Sequence, residues 1–368
     1  MKFRRCVLVL SALGIAVSST AIVAQVNPLI DLLAQDGWNA LAVGQATAAA
    51  KIFQQALAID ANKPDLYLGA GTAAYLDRRD EAAQTALERA LQLDPALARA
   101  RELLGLVRYR RGDLFGAIRT YELLDPSQRQ NEQAIERLER WRHELDLHNR
   151  MNTVISSAFT VSFEGEANAE LATHALSSLE RAADRIGQVL STYPDKPISV
   201  VLYTTEQFRD ITRAPIWAGG AYDGTIRVPM RGALESPQEL DRVVAHEYTH
   251  ALVRALAPRN VPAWLNEGLA AALETDLNHA NGASNSEPLP AGALAALQSS
   301  FGRFTGDQAR LAYDASARAA RQLLDEAGGF AVANLLRDLG QGVDFNDAFL
   351  HRIQRAFESF EADLSTPR

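Results

Sequence analysis

The chain is almost devoid of cysteine: Cys6 is the only one among its 368 residues, and it lies close to the N-terminus. The remainder of the chain therefore has no pair of thiols for a disulfide and no thiolate to bind a metal ion. Any metal site beyond the first few residues must be built from histidine and carboxylate ligands.

Basic and aromatic residues are also scarce. Lysine and arginine number 37 against 45 aspartates and glutamates, which gives a formal net charge of −8, and aromatic residues make up 7% of the chain. An acidic chain without a basic patch is a poor partner for nucleic acid or anionic lipid, so neither is expected as a ligand. The low aromatic content fits a helix-rich chain with many alanines.

A long apolar run is missing as well. The apolar stretch at residues 6–17 is short and ends in polar residues, so no stable membrane span is expected. The basic start, short apolar middle and small-residue end are typical of a secretory signal peptide, predicted here as residues 1–24. Cleavage after Ala24, or after Ala21, would take the net charge from −8 to −11 and leave the mature chain in the periplasm or outside the cell. The alternative is an uncleaved membrane anchor.

The most informative pattern is His-Glu-Tyr-Thr-His, which starts at position 246. It lies within a predicted helix over residues 237–257, for which Ser236 is the expected N-cap. Residues four apart on a helix lie one turn above each other, so His246 and His250 can point at the same spot. Glu247 lies on the same turn, near enough to accept a proton from a water molecule held there. The pattern therefore predicts two metal ligands and an adjacent general base.

A carboxylate in the following helix completes the ligand set. Two prolines bracket a short turn, after which a second helix is predicted over residues 262–274. Consecutive helices joined by a tight turn pack side by side, which brings Glu267 back to the histidines; Glu274 and Asp276, the other acids nearby, lie nearer the helix end. Two imidazoles and one carboxylate are the ligands of a catalytic zinc ion, which keeps a fourth position for water. We therefore expect Zn²⁺ as cofactor, with three ligands: His246, His250 and Glu267.

These segments resemble the gluzincin metallopeptidases, and most of all the small peptidase-MA-like domains often found beside helical repeats. The resemblance rests on the His-Glu-x-x-His pattern and on Trp-Leu-Asn-Glu-Gly-Leu-Ala at residues 264–270. The second segment is also similar to that of the aminopeptidase N family. However, the gap between the two segments is slightly shorter here, and the Gly-Ala-Met-Glu-Asn exopeptidase segment has no counterpart. Removal of single N-terminal residues is therefore not implied.

The resemblance also implies a role for a tyrosine downstream. Residues 312–316, Ala-Tyr-Asp-Ala-Ser, are similar to a Tyr-x-x-Ser segment of peptidase-MA-like domains. This implies that Tyr313 is a catalytic residue whose hydroxyl donates a hydrogen bond to the tetrahedral oxyanion. The alternative is a packed tyrosine with its hydroxyl at the surface.

A hairpin is predicted ahead of the metal-binding helix. Residues 221–228 contain Asp223-Gly224, a dipeptide typical of tight hairpin turns. The resemblance implies that this segment forms an edge strand that binds extended substrate over the cleft. An ordinary hairpin without such a role is the alternative.

Helical repeats are predicted ahead of this domain, over residues 38–147. Residues 54–60 align with residues 88–94 at an offset of 34, and Tyr75 matches Tyr109 at the same offset. A helix–turn–helix unit of that period resembles tetratricopeptide repeats, which stack into a curved array that binds proteins or peptides. We therefore expect the array to recruit a protein substrate or partner and to fold separately from the rest. The alternative is a plain helical bundle.

The predicted fold class is α+β, with all-α repeats followed by a gluzincin-type domain that has a small sheet and a helical C-terminal part. Alternation at residues 159–163 and an apolar run at 198–203 indicate strands, with a helix over 169–190 between them. The charged helix that closes the repeats carries His143 and His148, both expected to be solvated. The predicted parts are a signal peptide (1–24), repeats (38–147), the gluzincin domain (151–345) and a C-terminal helix and tail (346–368).

These features predict an exported zinc-dependent peptidase that acts on a protein or peptide, with Glu247 as the general base. That the bond is a peptide bond is implied by the resemblance alone. The first alternative is a repeat-based interaction scaffold whose metallopeptidase-like domain binds zinc but is catalytically silent. The second is a repeat scaffold without metal. The presence of Glu247 favours the peptidase, because a structural zinc site has no use for it.

Overall fold

The computed structural model describes residues 27–124, 132–165, 168–213, 219–230, 237–275, 288–298, 301 and 304–366. The predicted signal peptide, the predicted helix cap Ser236 and the alternative ligand Asp276 lie outside these residues. Within the described ranges, no helix combines the length and the apolar character that crossing a membrane requires.

The helices of the N-terminal part begin at regular intervals. One set begins at residues 46, 80 and 114 and the other at residues 64, 98 and 132, so successive members lie 34 residues apart. The described helices are α1 (Pro28–Ala42), α2 (Ala46–Ile59), α3 (Pro64–Leu76), α4 (Asp80–Leu93), α5 (Ala98–Arg110), α6 (Leu114–Glu122) and α7 (Glu132–His148). The predicted tetratricopeptide-like repeats are confirmed.

One packing contact recurs with the same period. The first helix of each repeat carries a glycine that receives a large buried side chain from the second helix. The pairs are Gly37–Phe53, Gly71–Leu87 and Gly105–Tyr121. A Cβ on any of the three glycines would collide with its partner, so the missing side chain sets how closely the paired helices approach.

A mixed five-stranded sheet follows the repeats. Its strands are β1 (Met151–Ile155), β2 (Phe159–Glu164), β3 (Ile198–Tyr203), β4 (Ala221–Tyr222) and β5 (Ile226–Pro229), in the spatial order β1-β2-β3-β5-β4. The three inner strands are parallel, whereas β1 and β4 pair antiparallel with their neighbours. Both predicted strands and the predicted hairpin are present, and β4 lies at one edge of the sheet. The sequence did not predict β1.

Eight further described helices belong to the part of the chain that contains this sheet. They are α8 (Ala169–Leu190), α9 (Thr205–Thr212), α10 (Pro237–Leu256), α11 (Ala263–Leu273), α12 (Ala293–Ala296), α13 (Gly306–Gln341), α14 (Phe345–Ile353) and α15 (Phe357–Leu364). Leu179 of α8, Val244 of α10 and Leu269 of α11 meet the sheet in one core, to which α14 and α15 add Phe349 and Phe360. The predicted α+β class is confirmed, while the domain limits at residues 151 and 345 stay predictions.

A buried ion pair joins the repeats to the sheet. Arg227 on β5 donates to Glu144 on α7 at 2.6 Å, and the two side chains are 5% and 1% exposed. Arg227 also donates to the Tyr203 hydroxyl at 2.8 Å, and Tyr109 of α5 donates to Glu144 at 2.8 Å. Because each polar group has a partner, the cost of burying these charges is offset within the contact.

The same contact corrects one expectation about the repeats' histidines. His148 is only partly exposed: its Nε2 lies 2.9 Å from the hydroxyl of Tyr203, and burial lowers its pKa. His143 is exposed, as predicted. The difference arises because α7 packs its C-terminal end against the sheet, where Leu147 contacts the cluster around Tyr203.

The ion pair also argues against the expectation that the repeats fold separately from the rest of the chain. Removing the repeats would remove Glu144 and leave Arg227 with its closest carboxylate missing. It would also uncover the apolar residues of the sheet that Leu147 covers. The structure therefore favours repeats that are an integral part of the molecule over an array that separates freely.

Replacing Glu144 with alanine is expected to lower the free energy of unfolding by about 3 kcal/mol, because Arg227 then stays buried without its closest partner. Asp223 lies 3.2 Å from Arg227, but its side chain is 47% exposed and compensates only in part. Glu139→Ala, at an exposed site on the same helix, should change stability by less than about 0.5 kcal/mol. Chemical denaturation followed by circular dichroism measures both; equal stability of the two variants would contradict a structural role for the pair.

Candidate metal centre

The His-Glu-x-x-His segment lies in the middle of α10, as the sequence predicts. One side of this helix, with Val244, Tyr248 and Leu252, is buried in the core. His246 and His250 lie on the side that lines a large cleft. The buried residues follow one another at intervals of four, and so do the two histidines. This spacing keeps the apolar and the polar sides of the helix separate.

Helix α11 brings the third predicted ligand to the histidines. Trp264 and Leu269 are fully buried and fix this helix in the core, whereas Glu267 lines the cleft. Gly268 allows a close approach to α13, since a Cβ there would collide with the backbone carbonyl of Ser316. Gly268, the residue after Glu267, therefore allows the contact between α11 and α13 that holds Glu267 in place.

The structure brings the three predicted ligands together. One donor atom from each of His246, His250 and Glu267 lies within 4.8 Å of the other two. A single oxygen of Glu267 lies 3.4 Å from Nε2 of His250 and 3.9 Å from Nε2 of His246. The two imidazole rings are nearly perpendicular, with centroids 4.9 Å apart. The three side chains therefore converge between α10 and α11.

Two further residues, whose role here the sequence did not predict, hold the outer nitrogens of the imidazoles. Nδ1 of His246 lies 3.1 Å from a Glu274 oxygen, which also accepts a hydrogen bond from Arg242 at 3.0 Å. Nδ1 of His250 lies 3.2 Å from Oδ1 of Asn266. The sequence alone offers Glu274 only as an alternative ligand. Its position seven residues after Glu267, as the C-cap of α11, is the signal that it faces the same cluster.

Burial and pairing set the protonation of this cluster. Burial lowers the pKa of His250, but the Glu267 carboxylate beside it outweighs that effect and raises the pKa to about 9. Burial raises the pKa of Glu267, and the His250 imidazole in turn holds that pKa below its ordinary value. The contact therefore favours the charged form of both groups, and a metal ion that binds here competes with the proton of His250.

Glu247 is buried, at 5% exposure, and lines the cleft beside both histidines. Burial raises the pKa of its carboxyl group; the two imidazoles oppose this shift, and the Glu267 charge adds to it. Within the described residues, no side chain donates a hydrogen bond to this carboxylate. A Cβ on Gly220 would lie 2.6 Å from Glu247 Oε1, so the backbone that leads into β4 closely covers the carboxylate.

Tyr313 of α13 also lines the cleft. Its hydroxyl is hydrogen-bonded to the Glu267 carboxylate, and burial raises its pKa. The side chain therefore lies at the cluster, one helical turn before Ser316, where α13 approaches Gly268. The structure brings all five of the predicted site residues to one place.

The cleft beside the cluster has a volume of about 2340 Å³. Its lining includes β4 and the glycines before it, the cleft side of α10 and α11, and Leu311 and Tyr313 of α13. Pockets that hold small ligands are typically about 300–1,000 Å³, so this cleft has room for an extended chain. An edge strand along its wall offers backbone groups for pairing with such a chain.

The donor set fits a zinc ion. It consists of two imidazole nitrogens and one carboxylate oxygen, the three-ligand set that leaves a position open for substrate chemistry. Each imidazole has its outer nitrogen held by an oxygen of a neighbouring side chain, which orients the inner nitrogen toward the metal position.

Replacing Glu267 with alanine is expected to weaken zinc binding far more than replacing Glu274. The first change removes a donor atom and leaves two protein ligands, whereas the second removes the partner of His246, which typically costs about 10–100-fold in affinity. Competition with a chromophoric chelator measures both affinities on the full chain, with Glu180→Ala, at an exposed site on α8, as control. A larger loss for Glu274→Ala would mean that the ligands are assigned wrongly.

The chain is similar to a known protein family and to a solved repeat structure. A family model described as the Peptidase MA superfamily matches residues 176–362, just over half of the chain. One similar solved structure is the Sgt2 TPR domain from Aspergillus fumigatus, with 28% identity over 34% of this chain and 83% of that chain, at a TM-score of 0.31. No curated protein matches the chain. By its family match, the chain belongs to the Peptidase MA superfamily.

Proposed function

We propose that this chain is an exported zinc-dependent peptidase, with His246, His250 and Glu267 as metal ligands and Glu247 as general base. The observation that carries the proposal is the convergence of three donor atoms within 4.8 Å beside a buried carboxylate that faces the cleft. Membership of a peptidase superfamily supports a peptide as the substrate. The N-terminal signal predicted from the sequence supports export.

When bound, zinc would supply Lewis acidity, which makes water more acidic and polarises a carbonyl group. The chain's own contribution begins with Glu247. Its pKa is raised by burial, which brings it closer to neutral pH, where a carboxylate both accepts and returns a proton efficiently. Glu247 would take the proton of the attacking water and deliver it to the amine that leaves.

The edge strand β4 would position the substrate. Its residues Ala221 and Tyr222, and Gly219 and Gly220 before them, line the cleft beside Glu247. An extended peptide that pairs with this edge would lie with its backbone next to the carboxylate. The close cover of Glu247 by Gly220 would keep competing water away from the base.

Tyr313 would act on the other side of the reacting carbonyl. Its hydroxyl is a hydrogen-bond donor already directed at the cluster through Glu267. A donor at this place would stabilise the oxyanion that develops during attack, and such interactions are typically worth about 10²–10³ in rate.

The catalytically silent scaffold is the weaker candidate. A carboxylate buried to 5% exposure without a hydrogen-bonding side chain among the described residues costs stability and has no role in a purely structural metal site. A role as general base explains why Glu247 is buried despite this loss of stability. A general base must be accessible from the cleft and benefits from a raised pKa.

Glu247→Gln is expected to keep the bound zinc but lower turnover of a quenched-peptide library by about 10²–10⁴-fold, because it removes the proton acceptor and leaves the ligands intact. Metal content by mass spectrometry and initial rates on the same preparation measure both. Glu180→Gln, the same change at an exposed site on α8, should leave both unchanged. Retained peptidase activity in Glu247→Gln would rule out the mechanism; an inactive wild type that holds zinc would favour the silent scaffold.

A further inference from the structure

Two arginines from distant parts of the chain line the same cleft. Arg254 lies on α10, four residues and thus one turn beyond the ligand His250. Arg78 lies in the turn between α3 and α4 of the repeats and also lines the cleft. The repeats therefore contribute a cation to the wall of the cleft that holds the metal-binding cluster.

The side chain of Arg78 has no directly bonded acidic partner among the described residues. Its side chain is exposed and makes no hydrogen bond or ion pair within the described part of the chain. Partial burial lowers the pKa of Arg78, and the neighbouring cations Arg110 and Arg254 lower it further, whereas Tyr75 and Asp80 oppose this shift. Cations that line one cleft and repel each other favour the binding of an anion between them.

The acids that flank Arg78 in the sequence, Asp77 and Asp80, contact other arginines. Asp77 accepts from Arg259 at 2.5 Å and lies 3.5 Å from Arg79. Asp80 accepts from Arg110 at 2.9 Å. Asp80 reaches Arg254 only at 4.0 Å, the outer limit of an ion pair. The acids of this turn thus make their shortest contacts with other arginines, while Arg78 and Arg254 line the cleft.

The repeat period gives an independent sign that the side chain of Arg78 matters. The equivalent positions in the flanking repeats, 34 residues before and after, are Gly44 and Gly112. All three have left-handed backbone, with φ of 78°, 57° and 83° in chain order. Glycine adopts this conformation freely, whereas an arginine pays an energetic penalty for it. The arginine that replaces glycine occurs in the one turn of the three that lines the cleft.

We propose that Arg78 and Arg254 form a subsite of the cleft that binds a carboxylate of the substrate. Arginine is suited to this ligand because its planar guanidinium donates two parallel hydrogen bonds to a carboxylate. The carboxylate belongs either to an aspartate or glutamate side chain or to the C-terminus of the peptide. The inference rests on the proposed function, since it takes a peptide as the occupant of the cleft.

The subsite lies close to the bond that would be cleaved. Four helical residues from His250 to Arg254 rise about 6 Å, and an extended peptide advances about 3.3 Å per residue. The carboxylate is therefore expected about two residues from the scissile bond. Tyr222 of β4 supports this placement, because the Arg254 guanidinium lies 5.6 Å from its ring, next to the edge on which a peptide would pair.

Binding of labelled decapeptides to the full chain carrying Glu247→Gln tests the subsite without turnover. Each peptide carries one glutamate at a varied position, its counterpart carries glutamine there, and both are made with a free and with an amidated C-terminus. Fluorescence anisotropy is expected to show tighter binding of the glutamate peptide at one position, or of the free C-terminus whatever the position. Either preference is expected to be about tenfold or more. Comparing glutamate with glutamine peptides tests for a side-chain carboxylate, and comparing free with amidated peptides tests for the C-terminal carboxylate.

Adding Arg78→Gly should abolish that preference, and Arg78→Lys should restore part of it by returning the charge without the guanidinium. Arg78→Gly introduces the residue that the flanking repeats already carry, so the fold is expected to be retained. Arg111→Gly removes the same charge from the turn of the next repeat, outside the cleft lining, and should leave the preference intact.

The outcomes distinguish this inference from the proposed function. A preference that persists in Arg78→Gly, equal binding of all peptides, or no binding of any peptide would overturn the subsite. A wild-type chain that cleaves peptides without any preference would overturn the subsite alone. A chain that binds acidic peptides through Arg78 but cleaves none would overturn the peptidase and leave the subsite standing.

Discussion

The convergence of two imidazoles and a carboxylate in a largely buried site is the constraint on which the rest of the structure depends. Donor atoms of His246, His250 and Glu267 come within 4.8 Å only because α10 and α11 lie side by side and because Gly268 lets α11 approach α13 closely. The outer nitrogens of both imidazoles are held as well, by Glu274 and by an asparagine next to Glu267. A site fixed from both sides in this way is preorganised for a metal ion, which then loses little of its binding energy in ordering the ligands.

The repeats take part in this arrangement and are not a simple appendage. Glu144 on their last helix pairs with Arg227 of β5, whose neighbour β4 is the edge strand beside Glu247. The turn that carries Arg78 then forms part of the cleft wall. Since the buried ion pair fixes the repeats against the sheet, a partner that binds the repeats would act close to the edge strand β4. The same contact explains why a chain with an array of nearest-neighbour repeats need not behave as two independent modules.

The parts that could be predicted from the sequence depend on local patterns. Helical spacing placed His246, Glu247 and His250 on one turn, alternation gave β2, and the 34-residue period gave the repeats. What could not be predicted depends on contacts between distant segments. His148 is predicted in solvent because its spacing of five residues from His143 does not bring the two imidazoles to one metal, and nothing local shows that α7 docks on Tyr203. The partner of Glu144 lies 83 residues away, and the hydrogen bond of Tyr313 to Glu267 likewise requires the packing of α13 on α11.

Zinc K-edge X-ray absorption of the full chain loaded with one equivalent of zinc tests the central claim most directly. Zinc held by the predicted ligands is expected to have two imidazole nitrogens at about 2.0–2.1 Å and oxygen ligands, without sulfur. This signature and stoichiometric binding are both expected to be lost when His246 and His250 are replaced with alanine. An unchanged spectrum and near-stoichiometric zinc in the double variant would contradict the claim, because the metal would then be held elsewhere.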